Sequence, residues 1–347
     1  MRPDAEGHGQ VKPRVSIVIL TKNSLGVVER LLEALGQQEF TPPCEYIFMD
    51  NDSSDGTREY LQELPLPRKR VIAVATGRFS HSGTRMEAAG SAAGDVLVFF
   101  TDDVVPIGRD FLERLTAPVL EGRAAAAYGV WQIHPRWHDP VDAYLHNGWH
   151  RGFDEVVEPI SAYCWKKFPP ELRRRLSNFD NCASCIDRRT LLEVGFPAVP
   201  YGEDMLFARA LIRGGRRVAQ AKEAMFYHWH KVSPGYMFRR MCYDSHLSVK
   251  EFDIYYVTRL RGVIKAIVLR ALQRTWIAFF KVRLPLAKKF YWSWYNARTL
   301  AADFFGKFAG ILTEETASRG FSPLKRRLYA AKRRIVEEIE EKSILRY

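Results

Sequence analysis

The feature that most constrains this chain is an alternation. Over the first hundred residues, short apolar runs alternate with helical stretches, and acidic clusters follow the second and fourth runs. Residues 15–20, Val-Ser-Ile-Val-Ile-Leu, read as a buried strand. Helical spacing over 27–35 puts Val28, Leu31, Leu32 and Leu35 on one face. A second strand at 46–49 ends on Asp50-Asn51-Asp52-Ser53-Ser54-Asp55-Gly56-Thr57. Residues 58–64 read as a helix capped by Asp55 or Thr57. A third strand at 71–74, a small-residue helix at 84–93 and a fourth strand at 96–100 follow, the last ending on Thr101-Asp102-Asp103. Strands that alternate with helices pair in parallel through crossovers, so an α/β fold with a mostly parallel sheet is expected. In such sheets ligands bind beyond the carboxyl ends of the strands. Asp50, Asp52, Asp102 and Asp103 all stand at those ends.

Residues 125–165 are irregular and rich in Trp, His and Pro, and read as loops and short strands. Trp131, Trp137, Trp149 and Trp165 could stack on sugars, but most read as core aromatics. A short helix is expected at 190–194 and a clearer one at 204–214, stopped by Gly214-Gly215. A short strand at 225–227 leads into His228-Trp229-His230, and past residue 234 the chain is helical, basic and aromatic. Residues 1–12 are expected to form a loose polar tail.

Charge divides the molecule. The 347 residues carry a net charge of +12, and 47% are hydrophobic, which excludes general disorder. Residues 255–347 hold 20 Lys and Arg against 7 Asp and Glu, so the remainder is close to neutral. Five scattered cysteines make no disulfide framework, and the Cys182/Cys185 pair has no second half to complete a zinc site. There is no apolar run after a basic start and no stretch of about 18 uncharged apolar residues. A reducing, cytoplasmic setting is the expectation.

Adjacent carboxylates such as Asp102 and Asp103 repel unless a cation lies between them, and a divalent ion with oxygen ligands is one answer. A plain turn after a strand, where Asp is favoured, fits equally well. Glu203 and Asp204 open a helix, where acids complement the dipole whether or not they do chemistry. His228 and His230 alternate along an extended segment and face one way, as metal ligands or as packed core histidines.

In combination these segments become specific. Residues 15–23, Met49-Asp50-Asn51-Asp52-Ser53-Ser54-Asp55-Gly56-Thr57, Phe79-Ser80-His81-Ser82-Gly83-Thr84-Arg85 and Phe99-Phe100-Thr101-Asp102-Asp103 occur in order. Phe179-Asp180-Asn181-Cys182-Ala183-Ser184, Val199-Pro200-Tyr201-Gly202-Glu203-Asp204 and His228-Trp229-His230 follow them. Over about residues 13–246 the chain resembles the family 2 glycosyltransferases of the GT-A fold, rhamnosyltransferase-like branch. The resemblance implies a Rossmann-like nucleotide-sugar-binding domain at 13–246 and a separate helical region at 247–347. It implies that Thr21, Asn23 and Asp50 hold the nucleotide base and ribose, with Asp52 on the same donor side. It places Asp103 on a divalent cation, Mg2+ or Mn2+, that grips the donor diphosphate, and Asp102 on ribose or a metal-bound water. His228 would complete the metal shell, with His230 the second candidate. Asp204 would be the catalytic base, with Glu203 beside it, and Arg85 would approach the diphosphate or orient the acidic loop. The implied reaction is inverting transfer from dTDP-L-rhamnose to a glycan or lipid-linked acceptor in cell-surface polysaccharide assembly. Galactofuranosyl and other hexosyl transferases share the pattern. Thr101 stands where the fuller motif has its first Asp, a departure that would also suit a catalytically weak scaffold subunit on a membrane.

In the last third, Ile264, Ile267, Val268, Leu272, Trp276 and Phe279 interleave with Lys265, Arg270 and Arg274. Tyr291-Trp292-Ser293-Trp294-Tyr295 follows Lys288-Lys289, and residues 324–339 continue the basic pattern. Basic amphipathic helices bearing aromatics read as membrane-surface elements, each Lys or Arg contributing about 1 kcal/mol at an anionic leaflet. A peripheral position on the inner face of the cell membrane is expected, with a packed bundle or homo-oligomer interface as the alternative. No nucleic-acid motif accompanies the charge, so nucleic acid is not an expected partner.

Overall fold

The computed structural model describes residues 14–147, 155–318 and 323–342. The expected tail at 1–12, and Trp149, lie outside the described residues. Nine strands form one sheet: β1 (Val15–Thr21), β2 (Cys44–Asp50), β3 (Lys69–Ala73), β4 (Val96–Thr101), β5 (Val105–Pro106), β6 (Ala126–Gln132), β7 (Glu155–Val157), β8 (Ala183–Asp187) and β9 (Val218–Tyr227). Their order is β3-β2-β1-β4-β8-β6-β9-β5, with β7 also paired to β9. β1 to β4 pair in parallel, and β6 and β9 run the same way; β5, β7 and β8 run against them.

The alternation of side chains sorts β1 into two cores. Ile17 and Ile19 pack on one face with Phe48, Val98 and Phe100, under Val28, Leu31 and Leu35 of the helix Val28–Gly36. Val18 and Leu20 pack on the other face with Ile47, Met49 and Phe99, under Ala88 and Ala89 of His81–Ser91 and Phe207 and Leu211 of Glu203–Arg213. A strand covered on both faces must be apolar at nearly every position, which is why β1 stood out in the sequence.

β8 was not anticipated. It lies antiparallel between β4 and β6, with Ala183 opposite Phe100 and Asp187 opposite Val96. β9 is also longer than its sequence suggested, because Val218, Ala219 and Ala221 extend it by burying small side chains.

Beyond the sheet lie the helices Pro234–Phe252, Leu260–Phe280, Leu286–Ile311, Glu314–Ser318 and Pro323–Lys342. The boundary expected between 246 and 247 falls inside the first of these, and Leu247, Phe252 and Ile254 join the core that holds Phe207. Two glycines allow Leu286–Ile311 to approach that helix closely. A Cβ on Gly306 would come to 2.6 Å from Phe238 O, and one on Gly310 would strike Cys242 O. Among the described residues no helix is long and apolar enough to cross a membrane.

Candidate active site

The loops after β1 and β2 lock together first. Thr21 is buried and donates its hydroxyl to Asp50 Oδ1 at 3.1 Å. Asp50, fully buried, also accepts from Ser53 N, Ser53 Oγ and Arg58 Nε at 3.0, 2.6 and 3.0 Å. Burial alone would raise its carboxyl, but these bonds hold it below the ordinary value. Asn23 adopts a left-handed backbone (φ 46°) and accepts Ser54 N at 2.8 Å, while Lys22 Nζ donates to the carbonyls of Asn51 and Asp52 at 2.6 and 2.7 Å. Asp52 stays largely exposed at the rim, 3.4 Å from Arg58.

At the end of β4 the two adjacent carboxylates diverge. Asp102 accepts Lys22 N at 3.1 Å, tying the β4 end to the β1 loop. Burial and the charge of Asp103 push it up to about 6. Asp103 turns the other way, to His228 Nε2 at 3.2 Å and His230 Nε2 at 2.8 Å. β5 pairs antiparallel with β9, Val105 opposite Tyr227, which brings the residues just before β5 close to those just after β9. The ligand atoms of Asp103, His228 and His230 lie within 4.8 Å of one another. One carboxylate and two imidazoles converging at a strand end is a donor set that fits a divalent cation.

The third part is the helix Glu203–Arg213. It starts after Gly202, whose φ of 78° is left-handed and whose missing Cβ leaves room for Leu247 Cδ2, which would lie 2.7 Å away. Glu203 is buried in an ion pair with Arg85, Oε1 to Nη1 3.1 Å. Arg85 also donates to the carbonyls of His81 and Asn181, so this guanidinium clamps three segments. Asp204 takes no part in that ion pair and accepts its neighbour Met205 N at 2.7 Å. Burial first, then the charges of Glu203 and Asp180, raise its carboxyl to about 7.

Asp180 is the site residue to which sequence reasoning gave no role. It accepts Cys182 N at 2.8 Å, Cys182 Sγ lies 3.9 Å from His228 Nε2, and the Asp180 charge is felt at Asp204. It therefore bridges the Asp103 cluster and Asp204. Thr101 N donates to Cys182 O at 3.1 Å and fixes this segment beside the β4 end. An acid placed just before a strand, rather than after one, was the signal that could have found it.

Of the aromatics, Trp165 is core and Trp131 stacks on His146. Trp137 is half exposed, stacked on His134 and faced by Arg30. Trp229, between His228 and His230, meets Trp292 and Tyr295 at ring distances of 6.2 and 6.5 Å.

Residues 16–183 match the family model described as glycosyl transferase family 2. This identifies the segment as a family 2 glycosyltransferase domain; the chain has the GT-A fold, with a helical region at its C-terminal side. Similar proteins include the O-antigen chain rhamnosyltransferase WbaN of Salmonella anatum, 27% identical over 208 residues, 59% of this chain and 62% of that one. The match thus spans less than two thirds of that relative's length. The O-antigen chain rhamnosyltransferase RfbN of Salmonella typhimurium is 26% identical over 231 residues, 65% of this chain and 70% of that one. Among solved structures, mannosyltransferase PcManGT from Pyrobaculum calidifontis, in complex with GDP-Man and Mn2+, aligns at a TM-score of 0.48 and 16% identity, covering 97% of this chain and 86% of that one.

Proposed function

We propose that this protein is an inverting, metal-dependent glycosyltransferase that moves L-rhamnose from dTDP-L-rhamnose to a glycan or lipid-linked acceptor in cell-surface polysaccharide assembly. The observation that carries the reading is the convergence of Asp103, His228 and His230 beyond the β4 end. Similarity to two O-antigen rhamnosyltransferases supports the sugar.

The residues divide the work. Thr21, Asn23, Asp50 and Asp52 form the nucleotide side, rigidified by Lys22 and Ser53. Asp102 holds the β1 loop against the β4 end and faces the ribose. Asp103, with His228 and His230, would hold a divalent cation that stabilises the negative charge of the departing nucleoside diphosphate. Mg2+ keeps largely to oxygen ligands and water, so two imidazoles in the set favour Mn2+. Asp204 takes the proton of the acceptor hydroxyl, and a carboxyl raised to about 7 suits a base working near neutrality. Glu203 acts through Arg85, holding the helix start that presents Asp204. Residues 13–254 supply donor site and base, and the helical region beyond them holds the enzyme at the inner face of the cell membrane.

The test is a screen of nucleotide-sugars with the purified protein and Mn2+, following release of nucleoside diphosphate. dTDP-L-rhamnose is expected to be consumed. Consumption of no nucleotide-sugar under any divalent ion would overturn the reading, and preference for another donor would overturn the rhamnose assignment alone.

A further inference from the structure

The helix Leu260–Phe280 is solvated on the side that faces away from the protein, and that side is apolar. Ile264, Val268, Leu272, Trp276 and Phe280 recur at every fourth position and all are exposed. Leu286, Phe290 and Trp294 continue the spacing on Leu286–Ile311, and the exposures of Leu272, Phe280, Leu286, Phe290 and Trp294 are 62, 73, 63, 60 and 65%. The opposite side of the first helix is apolar as well, burying Val263, Ile277 and Ala278. So many large apolar side chains exposed together on two successive helices mark a contact surface for something apolar.

The charge says what covers it. Residues 254–302 contain ten Lys and Arg and no Asp or Glu. Several of these cations lie over the exposed rings, Lys281 Nζ 5.0 Å from Trp276 and Arg298 Cζ 5.6 Å from Trp294. That is the arrangement of stems along hydrocarbon with heads reaching to an anionic layer. A second copy docked on the same face would bring two all-cationic segments together and desolvate their charges. A nucleic-acid backbone would neutralise the charge but leave Leu272, Val268 and Ile264 without an apolar partner.

We propose that the paired face of Leu260–Phe280 and the first turns of Leu286–Ile311 inserts shallowly into an anionic lipid bilayer. The proposal rests on the peripheral-membrane reading above and names the face that carries it. The same two helices are bolted to the site. Trp229, between His228 and His230, packs on Trp292 and Tyr295. Arg274 pairs with Asp142, and Asn296 Nδ2 donates to Asp139 Oδ2 at 2.8 Å. The bilayer contact and the Asp103 cluster are therefore held in one fixed relation, which presents the site to an acceptor lying at the lipid surface.

The experiment is flotation of the full chain with phosphatidylcholine vesicles, with and without phosphatidylglycerol, and with brominated lipid as a quencher of Trp fluorescence. The expected result is flotation that requires phosphatidylglycerol, weakened at least about tenfold by Leu272→Glu with Phe280→Glu. Trp276→Phe with Trp294→Phe should remove most of the quenching. Nucleoside diphosphate release to a water-soluble acceptor should be unchanged in all these variants. Flotation equal to wild type in the Glu variants would overturn the proposal. So would no flotation of the wild type, including a case where the same substitutions dissolve a dimer or abolish a shift with RNA. Flotation without any sugar transfer would uphold this face while sinking the proposed reaction.

Discussion

The carboxyl end of the sheet and the helical pair at 260–311 are both built around charge, and they treat it in opposite ways. At the sheet end, carboxylates are withdrawn from water and each is answered: Asp50 by Ser53 and Arg58, Asp103 by two histidines, Glu203 by Arg85. Burial makes such groups sensitive to their partners and able to hold unusual protonation states. On the helical pair most cations stay at the surface, and the apolar side chains between them are left largely open to solvent. Perturbing a charge at the sheet end should therefore damage the fold or the chemistry. Perturbing the outer face of the helices should leave both intact and alter only what the protein touches.

The largest expected effect is at Asp204. Asp204→Asn should lower kcat by about 10²–10⁴-fold with donor affinity kept, as for loss of a general base. In the wild type, kcat/KM should rise with pH through about 7, where the raised carboxyl ionises. Stability runs the other way. Because the folded carboxyl is raised above its ordinary value, its cost to the fold builds as pH climbs from the ordinary carboxylate range to about 7, and is full above that. Asp204→Asn should thus raise Tm at pH 8 and change it little at pH 4, which a pair of melts would show.

Next comes the clamp. Arg85→Met leaves Glu203 buried without its cation and should cost about 3–5 kcal/mol in denaturant unfolding. A loss well below 1 kcal/mol would mean that the sheet end is not held by paired burial. Gly310→Val, which pushes Leu286–Ile311 away from Cys242 O, should cost about 1–3 kcal/mol. The smallest effect is expected for Leu272→Glu, within about 0.5 kcal/mol in unfolding, since most of its surface is exposed to solvent. A larger loss there would place Leu272 in an internal contact and dissolve the contrast between the two regions.

The same contrast explains what the sequence made legible. β1 and β4 are buried on both faces, so continuous runs such as Val96-Leu97-Val98-Phe99-Phe100 announce them, and the acids after β2 and β4 mark the binding end. That logic looks after a strand, and β8 runs backwards. Its binding end comes before Ala183, so Asp180 was quoted in a motif but given no role, and Ala183, Ser184 and Cys185 are too small to signal a central strand. The Arg85–Glu203 pair joins residues 118 positions apart, and no local pattern encodes a contact at that distance. Trp229 carried no signal either. Its neighbours pointed to the site, while its own ring serves to anchor the C-terminal helices. The cationic excess of the last third was plain from counting, but that its apolar residues face outward depends on which side of Leu260–Phe280 is buried.

The most direct test is calorimetric titration of the nucleotide-sugar into wild type, Asp103→Asn and Asp204→Asn, each with Mn2+ and with chelator. Donor binding should require the metal in the wild type, persist in Asp204→Asn and be lost in Asp103→Asn. Binding that is equal with chelator, and undiminished in Asp103→Asn, would contradict the assignment of the Asp103, His228 and His230 cluster as the metal-bearing half of the site.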